Sequence, residues 1–132
     1  KSYIFKSAKK GNTILFYNSS NTKKIKFLKK KGLILIKTKL NSEGLLDLKI
    51  VLKKLFILGT RSLLVEGGDK ISKNLIKNRL IDTFYLFQSP KILRVNKINQ
   101  GFTSFGILNG KYKKVSKITS KLAKDNITIY KR

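Results

Sequence analysis

Ser62-Leu63-Leu64-Val65-Glu66-Gly67-Gly68-Asp69-Lys70-Ile71-Ser72 passes from an apolar stretch through two glycines into a lysine-rich segment. Ser62 to Val65 reads as a buried strand. Lys70 to about Arg79 reads as a helix that turns Ile71, Leu75 and Ile76 inward. A strand that feeds a helix through a tight turn is half of a β-α-β unit, so this junction decides the fold class.

The upstream sequence repeats the arrangement. Thr13 to Tyr17 is an apolar run between Gly11-Asn12 and Asn18-Ser19-Ser20, and Leu33 to Ile36 is a second. Between them, Asn21 to Lys31 places Ile25 and Leu28 three apart, the spacing of a short helix that Gly32 ends. Leu45 to Leu58 carries Leu48, Val51, Leu52, Leu55 and Phe56 on one helical face, with Asp47 in its first turn and Gly59 just past its end. Strands this continuously apolar are expected to be hidden on both faces, which predicts a mostly parallel sheet flanked by helices.

Downstream the pattern changes. Thr83 to Gln88 reads as a strand stopped by Pro90. Tyr112 to Ile118 and Asn126 to Tyr130 read as an antiparallel hairpin turning at Leu122 to Asp125. Ile92 to Gly110 holds Gly101, Gly106 and Gly110 without a clear period and reads as a loop. With no repeat and no linker, residues 1–132 are expected to form one α/β domain. The start at Lys1, not Met, suggests a fragment or processed product.

Composition removes several chemistries. The chain has no cysteine and no histidine, so disulfides, thiolate zinc sites and cysteine nucleophiles are excluded. No apolar run approaches the roughly 20 residues of a membrane span, and a cytoplasmic protein without a membrane partner is expected. The net charge of +25 raises a nucleic-acid-binding α/β module as an alternative. However, only Arg61, Arg79, Arg94 and Arg132 are arginines, the residue that forks onto phosphates and guanine edges. Richness in Ile and Asn, with only Ala8 and Ala123 as alanines, fits A/T-rich coding instead, so no specific nucleic acid is expected.

In open parallel sheets, ligands gather where helix N-termini present free N–H groups. Gly67-Gly68 could let a phosphate approach bare backbone, with positive φ allowed and with Asp69 or Ser72 serving first-turn donors; on spacing alone a plain tight turn is the simpler reading, because Gly-Gly is common in turns. It is neither a P-loop nor a G-x-G-x-x-G fingerprint. Glu66, at the end of an apolar strand, is either a substrate anchor or an acceptor for local N–H groups. Ser19 or Ser20, beside Lys23 and Lys24, either caps a helix or holds a phosphate.

Leu63-Leu64-Val65-Glu66-Gly67-Gly68, then Asn78-Arg79-Leu80-Ile81-Asp82, Phe84-Tyr85-Leu86 and Ser89-Pro90-Lys91-Ile92-Leu93 resemble the C-terminal portion of the riboflavin-biosynthesis reductase domain. Members of that family carry V-E-G-G, L-[IV]-D-E-[LV] and A-P-K-[IL]-[IL]-G in the same order. Asp125-Asn126-Ile127-Thr128-Ile129 resembles the family's last strand. Thr83 stands where Glu is usual, and Arg94 where Gly is.

The resemblance implies a dihydrofolate-reductase-like fold whose first part is missing, and a deaminase domain upstream in the native gene. It implies NADPH as cofactor and a phosphorylated pyrimidine substrate, 5-amino-6-ribosylamino-pyrimidinedione 5′-phosphate, reduced to its ribitylamino product. A homodimer is also implied. By position, Glu66 would contact substrate. Gly67, Gly68, Asp69, Lys70, Ile71, Ser72, Lys73 and Asn74 would bind the cofactor; Ser19, read from its neighbours and not from the resemblance, would be the group for the 2′-phosphate of NADPH if it holds a phosphate at all. No side chain is assigned as catalytic, and no metal is expected. A pterin or folate reductase of the same fold is the other enzymatic alternative.

Overall fold

The computed structural model describes residues 11–90, 102–119 and 125–132. The N-terminal run from Lys1 to Phe5, the Lys91-Ile92-Leu93-Arg94 segment and most of the turn expected at Leu122 to Asp125 lie outside them. The described residues fall into two compact units, one ending at Leu63 and the other beginning at Leu64.

The N-terminal unit is a β-α-β arrangement followed by a helix: β1 (Ile14–Tyr17), α1 (Thr22–Lys30), β2 (Ile34–Lys37) and α2 (Leu48–Ile57). As expected, β1 and β2 pair in parallel, Ile14 opposite Ile34 through Tyr17 opposite Lys37. Asn21 starts α1 because its side chain accepts the Lys24 N–H at 2.9 Å. Gly32 ends it with φ of 86°, a conformation open to glycine. Leu28 and Leu33 are the buried apolar anchors. In α2 the Asp47 carboxylate accepts the N–H groups of Lys49 and Ile50, which fixes the helix start after Asp47 instead of at Leu45.

Two expectations fail in this unit. The strands are not hidden on both faces, since Leu15 is 37% and Ile34 41% exposed. A two-stranded ribbon with one crossover helix does not cover both sides. Phe56 does not face inward either. It is 62% exposed, with the Arg61 guanidinium stacked 4.6 Å from its ring.

The C-terminal unit contains α3 (Asp69–Lys77), β3 (Thr83–Gln88), α4 (Phe105–Lys111), β4 (Lys113–Thr119) and β5 (Asn126–Lys131). Its sheet has the order β3-β5-β4 and is antiparallel throughout. The expected C-terminal hairpin is present, with β5 between the other two strands. Phe84 lies opposite Tyr130 and Leu86 opposite Thr128. An extra residue at Val115 shifts the β4 register, which explains the imperfect alternation of that strand. Alternate residues of β3 and β5 share one face, and Leu86 and Tyr130 from that face join Ile76, Leu108 and Tyr112 in the core. Ile76 and Leu108 are completely buried.

The expected mostly parallel sheet is therefore not what the described residues form: they give a parallel pair in one unit and a separate antiparallel three-stranded sheet in the other. The third parallel strand is missing. Residues 61–68 carry no regular secondary structure, and Leu64 is 82% exposed. Apolar content marks a segment for burial, but a strand exists only where a neighbour completes its ladder, and Ser62 to Val65 pairs with no described strand.

The expected loop from Ile92 to Gly110 is also partly helical, since α4 begins at Phe105. Gly106 and Gly110 each weaken a helix by about 1 kcal/mol and mask its period. Burial of Leu108 against Ile76 and Tyr112 outweighs them. Within α3, Leu75 and Ile76 are buried as expected, whereas Ile71 is exposed.

Candidate functional site

The first helix of the C-terminal unit starts abruptly. Gly68 is the residue before α3, with φ −72° and ψ 177°, and it has no side chain to cap the helix. The N–H groups of Ile71 and Ser72 both reach the Gly68 carbonyl, at 3.1 and 3.2 Å. Those of Gly68, Asp69 and Lys70 find no acceptor among the described residues. Free N–H groups carrying the positive end of a helix dipole attract an anion.

The two glycines serve different needs, and neither uses a positive φ as the sequence had suggested. A Cβ on Gly67 would lie 2.3 Å from Cγ2 and 3.1 Å from Cβ of Ile71, so the chain itself keeps that position bare. A Cβ on Gly68 would meet nothing within 4 Å, and its backbone is extended and open to any residue. The fold makes no demand for glycine at position 68.

Asp69 and Ser72 do not cap the helix, contrary to expectation. The Asp69 carboxylate turns to a segment 34 residues on, accepting the Thr103 N–H at 2.9 Å and the Thr103 hydroxyl at 2.6 Å. The Ser104 hydroxyl adds a longer bond at 3.4 Å. Ser104 sits at the N-cap of α4 without capping it, so both helix starts give up side-chain caps around this one carboxylate. Neither Thr103 nor Ser104 was a sequence candidate. A Ser/Thr pair ahead of Phe105, Leu108 and Tyr112 signals a helix start, but nothing local ties it to Asp69.

The Thr103 hydroxyl and then its N–H hold Asp69 below its ordinary pKa of 3.8, helped by Ser104 and by the charge of Lys73, against the pull of partial burial. The folded state thus favours the ionised form. Its contribution to stability is complete at neutral pH and disappears as pH falls below 3.8 through the lower native value. Acid titration of the Asp69→Asn variant is expected to lack that component, which a comparison of melting temperatures across this range would reveal.

The remaining candidates are placed less sharply. Lys70 and Lys73 are exposed near the helix start, and Ser72 is half-buried. Asn74 points down the helix, where its carbonyl and side-chain oxygens accept the Asn78 amide at 2.9 and 3.1 Å. Glu66 is exposed with no hydrogen bond from the described residues, so the argument from a buried strand end does not apply to it. Ser19 belongs to the N-terminal unit, where its Oγ accepts the Asn21 N–H at 3.2 Å ahead of α1, with Lys23 and Lys24 exposed.

The family model described as the RibD C-terminal domain matches residues 2–123. The chain belongs to that family. It is accordingly a reductase-type domain of riboflavin biosynthesis in the dihydrofolate-reductase-like superfamily. The match spans β1 to β4, and with them both candidate segments of the RibD C-terminal domain, at Ser19 and at residues 66–74. Among the described residues no helix is long and apolar enough to cross a membrane.

Proposed function

We propose that this RibD C-terminal domain reduces the ribosyl ring of 5-amino-6-ribosylamino-pyrimidinedione 5′-phosphate to a ribityl chain, with NADPH as the electron source. The observation that carries the reading is Gly68. Nothing among the described residues requires glycine there, yet any side chain would stand beside three N–H groups that no described residue satisfies. A group that must approach that backbone from outside supplies the missing reason.

The residues fit a dinucleotide. The N–H groups of Gly68, Asp69 and Lys70 would hold phosphate oxygens, with the Lys70 and Lys73 ammonium groups nearby to neutralise them. Bound there, NADPH would supply a hydride. The protein's part is to bind and orient, which needs no histidine or cysteine. Glu66, exposed one residue before the glycines, is free to accept hydrogen bonds from the hydroxyl and amino groups of the substrate. Ser19, with Lys23 and Lys24, is proposed as a phosphate-holding group of the N-terminal unit. Gly67, Ile71 and Ser72 shape the turn, and Asn74 is proposed with them as part of the cofactor segment. The reading also includes a homodimer and an upstream deaminase domain.

NADPH is expected to raise the melting temperature in proportion to the logarithm of its concentration, as any native-state ligand does. Glu66→Gln should lower turnover of the ribosylamino substrate while leaving NADPH affinity within about twofold. A melting temperature indifferent to NADPH would remove the cofactor from the proposal.

A further inference from the structure

Asp69 raises a difficulty for the turn just described. It is the first residue of α3, so its carboxylate is covalently attached beside the same N–H groups that are open to an anion. A free aspartate in the first turn is drawn toward the helix N-terminus by the helix dipole. A carboxylate placed there would both occupy the donors and repel a phosphate. The structure keeps it elsewhere: two bonds from Thr103 and one from Ser104 hold it against the segment leading into α4.

We infer that the Thr103 hydroxyl is a positioning group for cofactor binding, a latch that holds the Asp69 carboxylate off the N-terminus of α3 and leaves its donors open. The inference rests on the proposed placement of the dinucleotide at Gly68 and adds a residue distant in sequence to it. The shortest of the three bonds comes from that hydroxyl, at 2.6 Å. Removing it leaves only the backbone N–H and the long Ser104 bond. Thr103 is exposed, so its replacement does not open the core.

The experiment measures NADPH dissociation constants by fluorescence titration for the whole chain and four variants, each first shown to be folded by its thermal transition. Thr103→Val is expected to weaken binding about tenfold, between the about threefold that a like-charge pair at about 6 Å produces in bulk water and the about hundredfold it produces near a protein surface. Thr103→Ser keeps the hydroxyl and should bind as the parent does. Asp69→Asn should bind at least as well as the parent. In the double variant Thr103→Val with Asp69→Asn there is no charge left to compete, and affinity should return to within about twofold of the parent.

An unchanged dissociation constant in Thr103→Val overturns the latch. So does a double variant that binds as poorly as Thr103→Val alone, because the segment would then matter only as a structural brace. Absence of NADPH binding by the parent chain would instead overturn the cofactor reading, and the latch with it.

Discussion

Replacing Ile76 with alanine is expected to lower the unfolding free energy by about 3 kcal/mol. Ile76 is completely buried and lies where α3 meets the sheet, in contact with the cluster of Leu86, Leu108, Tyr112 and Tyr130. Truncation removes three carbons from water-excluded packing and leaves a void that two helices and a sheet cannot collapse around. Whole domains are stable by only about 5–15 kcal/mol, so such a loss is a large share of the total. Urea titration followed by far-ultraviolet dichroism would show the midpoint falling with little change in slope. Phe56→Ala provides the contrast: it is exposed beside Arg61 and should cost less than about 1 kcal/mol. Equal losses at the two positions would mean that the described core is misplaced.

The second large effect separates the two glycines. Gly68→Val should weaken NADPH binding by at least about 100-fold while moving the melting temperature little. Its backbone angles suit valine and its side chain would point into open space, where the isopropyl group screens the N–H groups of residues 68–70 from a phosphate. Gly67→Ala should behave in the opposite way. The new methyl would overlap Ile71, a β-branched side chain that cannot swing its Cγ2 aside without moving Cγ1, at a cost of about 1–3 kcal/mol. Ile71→Ala in the same chain should recover part of that stability. Equal affinity in Gly68→Val and the parent would show that the dinucleotide binds elsewhere.

Much of the local structure was legible. Asn21 and Asp47 mark helix starts, Gly32 marks an end, and the alternation in Asn126 to Tyr130 gives the last strand. What periodicity could not supply was partnership. Ser62 to Val65 is apolar enough for a strand, but apolarity does not create a neighbour, and the segment remains irregular. In α4 the positions Phe105, Leu108 and Tyr112 keep helical spacing, yet the intervening glycines obscured it.

At the site, the glycine pair was recognisable from sequence, although positive φ, one of the two reasons given for it, does not hold. Close approach at Gly67 and open space at Gly68 replace positive φ. The direction of the Asp69 side chain was beyond reach, because its acceptor role depends on residues 34 positions away.

The strand order of the C-terminal unit has a consequence during synthesis. β5 lies between β3 and β4, so neither of those strands has its ladder until residues 126–131 have been made and have left the ribosome. The N-terminal β-α-β segment can pair much earlier, since β1 and β2 are separated by a single helix. The nascent chain therefore carries the apolar faces of β3 and of the glycine-rich helix α4 uncovered until β5 emerges, the interval in which aggregation or chaperone capture would take their toll.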